Sequence, residues 1–204
     1  MRKRTVIWAT IVIILVALLA VGAWFYLTKL AKPQDCKFDR SFCLYLQEVV
    51  KPPAYKAVSQ QMAEGVMPQV TILETSSPQA YRITQQSGST ITQQTVVING
   101  ITYLKTPQGW VKSDQKVLMP PLLAPPDLKN AKVEGSKSSR CEQAKCTVYT
   151  ITYPDNPAAT ARVLVDDTTH LPKLVTRING AQVPITTTYE YTDINISTPT
   201  TGKP

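Results

Sequence analysis

The run Ser89-Thr-Ile-Thr-Gln-Gln-Thr-Val-Val-Ile-Asn99-Gly100-Ile-Thr-Tyr-Leu-Lys105 decides the fold class. Thr, Val, Ile and Tyr dominate on both sides of the Asn-Gly pair, and such side chains fit a pleated, half-buried surface. Asn and Gly both accept the positive φ that a type I′ turn requires, so Asn99-Gly100 predicts a tight hairpin joining 89–99 to 101–105. On the N-terminal side the same period of two continues. Val70, Ile72 and Glu74 alternate with Thr71 and Leu73, and Tyr81 and Ile83 with Arg82 and Thr84. On the C-terminal side a turn at Pro107-Gln-Gly109 delivers Trp110-Val-Lys112. A second block reads as strands at Ala131–Ser136, Cys146–Tyr153, Ala159–Asp166, Leu171–Asn179 and Val183–Tyr191, its last hairpin closed by Asn179-Gly180. Tyr149, Ile151 and Tyr153 share one face of their strand, as do Ile185, Thr187, Tyr189 and Tyr191 of theirs. The chain is mainly β, with about ten antiparallel strands in mostly sequential order.

Between the blocks lies Lys116-Val-Leu-Met-Pro-Pro-Leu-Leu-Ala-Pro-Pro-Asp-Leu-Lys129. Its four prolines exclude a central strand. Val117, Leu118, Met119, Leu122, Leu123 and Leu128 make it too apolar for a solvated linker, so it is expected to press against apolar surface. Before the first block, Phe42, Tyr45, Leu46 and Val49 recur at helical spacing and predict a short helix over Ser41–Val50. Asp39 or Ser41 can cap its start, and Lys51-Pro52-Pro53 ends it.

Residues 5–28 carry no charged side chain and follow Arg2-Lys3-Arg4. About 20 apolar residues cross the hydrocarbon of a bilayer, and Val6 to Leu27 supplies that length. The basic tip places residues 1–4 in the cytoplasm, and Trp8 and Trp24-Phe25-Tyr26 stand where aromatic belts stand. A cleaved signal has a shorter apolar core ending in a small-x-small site. Here Ala20-Val21-Gly22 lies inside the run, which favours a retained anchor. Cys36 follows Lys32-Pro-Gln-Asp35 instead of the apolar stretch itself, so lipid attachment there is not expected. The organisation read from the sequence is a cytoplasmic tip 1–4, a single-pass signal-anchor helix 5–28, a spacer 29–40, an extracytoplasmic β domain 41–194 and a disordered Thr/Pro/Gly-rich tail 195–204.

The formal charge of +8 does not mark a nucleic-acid binder. Arg2, Lys3, Arg4, Lys29 and Lys32 flank the apolar run, whereas all 14 acidic residues follow it. No stripe of basic residues interleaved with aromatics appears. In an exported domain four cysteines suggest disulfides, here in two local pairs, Cys36/Cys43 and Cys141/Cys146, although four cysteines allow three connectivities. A four-residue loop at 142–145 would set Cys141 and Cys146 opposite each other across a ladder. Zinc would need CxxC-like spacing or several histidines, and His170 is the only histidine.

The search for catalytic groups is short. Asp166-Asp167 with His170 is the one cluster to weigh, but adjacent carboxylates on a strand point to opposite faces, and a loop after a strand is an ordinary home for Asp. Gly-x-Ser-x-Gly and Walker-type motifs are absent from the sequence. No enzyme, cofactor or metal is expected. Asn195-Ile196-Ser197 matches the short N-glycosylation pattern, which recurs often by chance.

Alternating antiparallel strands leave one apolar face that something must cover. Either the sheet fills itself as an ordinary core, or it stays half-open and holds an apolar ligand beneath a movable cover. The order of features resembles the periplasmic lipoprotein-carrier superfamily of LolA/LolB-like proteins and mycobacterial LppX/LprG-type lipoproteins. The residues carrying the resemblance span about 54–197: Asn99-Gly-Ile-Thr-Tyr103-Leu-Lys, Gly109-Trp110-Val-Lys, the Pro/Leu insert, Cys146-Thr-Val-Tyr149, Val163-Leu-Val165-Asp166-Asp-x-Thr-x-Leu171-Pro172 and the closing Tyr-x-Tyr-Thr-Asp-Ile-Asn-Ile. The resemblance implies a bacterial protein with a curved antiparallel half-barrel over a hydrophobic cavity for acyl chains. It implies a lid containing Leu118, Met119, Leu122, Leu123 and Leu128, and a concave face bearing Tyr103, Tyr149, Ile151, Tyr189 and Tyr191. The expected function is binding of a lipid or lipoprotein acyl chain, as carrier or sensor, by a domain tethered to the cytoplasmic membrane and facing outward. The alternative is an interaction or regulatory ectodomain with a filled core that binds an envelope protein or cell-wall polymer.

Overall fold

The computed structural model describes residues 36–63, 65–122, 128, 130–141, 144–180 and 183–201. The chain divides into two compact units, Met1–Cys43 and Leu44–Pro204. The expected anchor 5–28, most of the spacer and Leu123 lie outside the described residues. Among the described residues no helix is long and apolar enough to cross a membrane.

The only described elements of the first unit are a disulfide and the start of a helix. Cys36 and Cys43 are bonded, with Cα atoms 5.9 Å apart. Helix α1, Arg40–Glu48, begins at Asp39, whose Oδ1 accepts from the backbone N–H of Ser41 at 3.0 Å and of Phe42 at 3.1 Å. Of the two expected caps the structure uses Asp39, which satisfies two of the first-turn donors that lack an intrahelical partner. The helix starts one residue earlier and ends two residues sooner than its periodicity predicts. Val50 N–H turns back to the carbonyl of Gln47 at 3.2 Å, a tightened last turn ahead of Lys51-Pro52-Pro53.

In the second unit eleven strands form one open sheet. They are β1 (Tyr55–Gln61), β2 (Gln69–Ser77), β3 (Ala80–Ser87), β4 (Thr90–Ile98), β5 (Ile101–Thr106), β6 (Gly109–Ser113), β7 (Lys132–Cys141), β8 (Ala144–Thr152), β9 (Ala159–Asp166), β10 (Pro172–Asn179) and β11 (Ile185–Glu190). The spatial order β6-β5-β4-β3-β2-β1-β11-β10-β9-β8-β7 is two antiparallel meanders joined where β1 pairs with β11. β6 and β7 are the two edges and do not pair, so the sheet curves without closing into a barrel. The hairpin read at Asn99-Gly100 is present: the two residues have φ of 52° and 79°, and Ile98 pairs with Ile101.

The topology explains the insert. It leaves one edge of the sheet after Ser113 and must reach the other at Lys132. Ten spacings of ~4.8 Å make about 48 Å along a flat sheet, and the linking chain fully extended at ~3.3 Å per residue reaches roughly 60 Å. Residues 114–121 adopt neither helix nor strand. A compact helix would fall short.

Registers define an inner face carrying Tyr55, Ala57 and Ser59 of β1, Leu73 and Thr75 of β2, Tyr81 and Ile83 of β3, and Thr187 and Tyr189 of β11. It continues through Val175, Val163, Tyr149 and Ile151. These side chains are buried. Tyr149 lies across Gly135 of β7, where a Cβ would come within 3.0 Å of its ring, so the missing side chain makes room for the aromatic. The outer face is mostly polar, with Glu74 and Arg82 paired across β2 and β3 at 3.2 Å.

Cys141 and Cys146 are also bonded, with Cα atoms 5.9 Å apart. The expected geometry is corrected: Cys141 pairs with Ala144 and Cys146 with Ser138, so the bridge runs obliquely across an irregular ladder. The expected tail includes Thr201, which makes an isolated parallel bridge with Trp110 of β6.

Candidate functional site

Two proline pairs build the walls of a cavity at the end of the sheet where β1 begins. Val49 is the last residue still bonded in helical fashion, its N–H reaching Tyr45 O at 3.1 Å. Pro52 and Pro53 have no N–H and disfavour helix before them, so Val49 to Pro53 leaves α1 as an extended wall. Met119, Pro120 and Pro121 of the strap form the facing wall, and Tyr55, Thr75, Ser77 and Pro78 form the floor. The enclosed volume is about 680 Å³. Lys51, Tyr55, Thr75 and Ser77 bring polar side chains to it, and the remaining lining is apolar. Thr75 Oγ1 donates to Ser77 O at 2.8 Å, within the irregularity between β2 and β3.

A second hollow of about 500 Å³ lies on the other side of the strap, lined by Tyr81, Val97, Ile101, Lys112, Val117 and Leu118 among others. The arm Val117–Pro121 runs between the two, and Pro78 borders both.

Tyrosine hydroxyls hold the strap. Tyr81 Oη donates to Val117 O at 2.7 Å, and Tyr189 Oη donates to Leu122 O at 2.6 Å. A segment rich in proline lacks the donors to pair as a strand, so its carbonyls are the natural handles. Burial raises the pKa of each of these tyrosines. Tyr45 and Tyr55 are pushed up to about 12 by burial, with Arg177 partly opposing the shift at Tyr45. Tyr191 is raised further, by burial first and then by the neighbouring tyrosines, and its Oη donates to Pro172 O at 2.9 Å. The ring of Tyr55 stands 6.5 Å from that of Tyr189 and 6.3 Å from that of Tyr191. At neutral pH these groups are neutral donors, and they form a rigid seam where β1 meets β11.

The structure sorts the expected site residues. Met119 lines the larger cavity, Leu118 lines the smaller and is 75% exposed, and Leu122 is held through its carbonyl. Leu128 is half-buried. Tyr189 and Tyr191 stand beside Tyr55, which lines the larger cavity, but border neither hollow themselves. Tyr149 and Ile151 share the inner face but are 1% and 0% exposed and border neither hollow. Tyr103 is a correction: it pairs with Val96, whose side chain points away from the inner face defined by Thr95 and Val97, so Tyr103 lies outside. Val49, Val50, Pro52, Pro53, Tyr55, Tyr81, Pro120 and Pro121 were not expected at the site. The available signal was the repeated pattern of apolar residues running into Pro-Pro, at Val49–Pro53 and at Leu118–Pro121.

The Asp166–Leu171 segment forms the β9–β10 turn. Asp166 Oδ1 accepts from Thr168 N–H at 2.8 Å and Thr169 N–H at 3.1 Å, while Asp167 Oδ1 accepts from Thr147 Oγ1 at 2.7 Å. His170 adopts φ of 56°. Among the described residues no cluster of His, Cys, Asp or Glu has a metal-binding arrangement.

Comparison with solved structures decides the fold. The Mycobacterium tuberculosis lipoprotein LppX superimposes with a TM-score of 0.51 at 13% identity, over 77% of this chain and 96% of that one. The fold is shared with LppX. A chain of the Pseudomonas aeruginosa MucA/MucB complex aligns at 16% identity and a TM-score of 0.46, over 72% of this chain and 54% of that one. This chain thus spans about half the length of that relative. No family model matches the chain. No curated protein matches it either.

Proposed function

We propose that the ectodomain binds a lipid or another acyl-chain ligand in the cavity between Val49–Pro53 and Met119–Pro121, as a non-catalytic carrier or sensor tethered to the outer side of the cytoplasmic membrane. The observation that carries this reading is the apolar volume of about 680 Å³ under a strap fixed by two tyrosine hydroxyls. That volume lies inside the range of roughly 300–1,000 Å³ typical of small-molecule sites. Each buried CH₂ contributes ~0.8 kcal/mol, so an acyl chain needs no charged anchor to bind usefully. The resemblance read from residues 54–197 and the fold shared with LppX support the same class of ligand. The apolar run 5–28 supports the tether.

Native mass spectrometry of the detergent-free ectodomain, residues 36–204, tests the reading. Co-purified or added lipid is expected on the wild type and is lost in Met119→Asp, whose half-exposed position leaves the fold intact. A folded wild type that takes up no lipid analogue would refute it.

A second reading, a protein-docking ectodomain, is supported by exposed apolar residues at the opposite end of the sheet: Met62, Val66, Met67 and Ile91, each at least 56% exposed. Glutamines flank them, and a patch that pairs apolar side chains with few charges suits the centre of a protein interface. A Met67→Glu variant that keeps lipid but loses an envelope partner would favour that reading.

A further inference from the structure

We propose that the rim of the two hollows is a docking surface for an anionic lipid bilayer, so that ligand passes between membrane and cavity without crossing water. The inference rests on the acyl-ligand reading above. Two side chains on this rim have no packing role: Val50 is 72% exposed and Leu118 is 75% exposed. Val50 belongs to the Val49–Pro53 wall of the larger cavity, and Leu118, which lines the smaller hollow, immediately precedes the Met119–Pro121 wall. Ile101, 38% exposed, borders the smaller hollow beside them. Three apolar tips at the openings of apolar cavities are placed to enter the interfacial layer of a membrane.

Charge selects the partner. Lys51 lines the larger cavity, and Lys112 and Lys116 line the smaller, so three cations share the rim with the apolar tips. The carboxylates to set against them are Asp114, on the same hollow, and Glu48 at the end of α1. Lysines at a membrane surface reach the phosphate level with their ammonium groups while their stems lie along apolar surface, and anionic lipid attracts them. The opposite end of the sheet is the internal control. It exposes Met62, Val66, Met67 and Ile91, but Gln60, Gln61, Gln69, Gln85, Gln86 and Gln93 surround them in place of lysines. Apolar exposure occurs at both ends, and three lysines accompany it where the two cavities open, whereas glutamines stand beside Met62, Met67 and Ile91.

The test uses the full chain in nanodiscs of phosphatidylcholine, with or without phosphatidylglycerol. A fluorophore is attached at Leu118→Cys, at Val50→Cys or, as control, at Met67→Cys; all three are exposed positions where labelling leaves the core untouched. In anionic discs a lipid-phase quencher is expected to act several-fold more strongly on labels at 118 and 50 than on the label at 67. That excess should fall in phosphatidylcholine discs, at high salt, and in the Lys51→Gln/Lys112→Gln/Lys116→Gln variant. Equal quenching at all three sites, or quenching at 118 indifferent to lipid charge and to the lysines, would overturn the proposal. The two readings fail separately. Lysine-dependent docking with no lipid in the native mass spectrum refutes the ligand and leaves the docking surface, whereas bound lipid without docking refutes the docking surface alone.

Discussion

The two meanders of the sheet use the same inner face differently. Across β8, β9 and β10 it carries Tyr149, Ile151, Ala161, Val163, Val165 and Val175, none more than 4% exposed. Across β2 to β5 it carries Leu73, Ile83 and Val97 interspersed with Thr75, Thr95 and Thr102, and the two hollows lie against this half. Large apolar side chains interdigitate along most of the β8 to β10 half, as protein interiors generally do, although a hollow of about 440 Å³ opens at its end beside Ala161 and Arg177. A threonine in the same position contributes one methyl and a hydroxyl, so it fills less apolar volume than the residues of β8 to β10, and Thr75 is the one of the three that borders a hollow. The larger hollows of about 680 and 500 Å³ thus lie against β2 to β5, whereas the inner face of β8 to β10 is packed except for the smaller hollow at its end.

Substitutions can break that comparison. The largest effect is expected in the filled half: Tyr149→Ala removes a ring packed over Gly135 and should destabilise by about 3–5 kcal/mol, read by chemical denaturation. A paired truncation sharpens the contrast. Val163→Ala leaves a new void in packed surroundings and should cost about 2 kcal/mol, whereas Val97→Ala, beside an existing hollow, should cost less than half as much because transfer and cavity terms add only in the first case. Equal losses would mean the two halves are packed alike.

Smaller effects concern the strap and the seam. Tyr81→Phe and Tyr189→Phe each remove one hydroxyl bond to the strap, at about 1 kcal/mol apiece. Hydrogen exchange at the Leu122 amide, bonded to Pro120 O at 2.8 Å, should quicken in both variants while that of β8 stays slow. The smallest effect at neutral pH is alkaline sensitivity. Tyr45 and Tyr55 have folded pKa values of about 12 against an ordinary 10.0. The stabilisation is therefore complete below pH 10 and is lost as pH rises through 12. Denaturation midpoints should stay level up to that lower value and fall beyond it, together with the appearance of tyrosinate absorbance.

Local chemistry made much of this legible from the chain. The strand from Ala159 to Asp166 coincides with β9 to the residue, and the Asn99-Gly100 turn and both disulfides follow from short-range patterns. Within the Pro/Leu insert, expected to press against apolar surface, Val117, Met119 and Leu122 are half-buried while Leu118 is 75% exposed. Tyr103 escaped because Thr95-Val96-Val97-Ile98 is uncharged on both faces. A two-residue turn fixes Tyr103 beside Val96, but nothing in that run says which of its faces turns inward. Strand β1 was not separated from its neighbours because Ser59, Gln60 and Gln61 weaken its alternation. The cavity itself needs Val49–Pro53 and Met119–Pro121 to meet across a long stretch of chain, and that encounter is set by sheet order, which no local spacing encodes.

The central claim is that an apolar guest enters the cavity between Val49–Pro53 and Met119–Pro121 and not the packed face that carries Tyr149 and Ile151. Photolabelling with a fatty acid carrying a diazirine near its methyl end, followed by peptide mapping, tests it most directly. Label is expected on the peptides spanning residues 49–55 and 119–121. Label on the peptide containing Tyr149 and Ile151, or on none at saturating fatty acid, would contradict it.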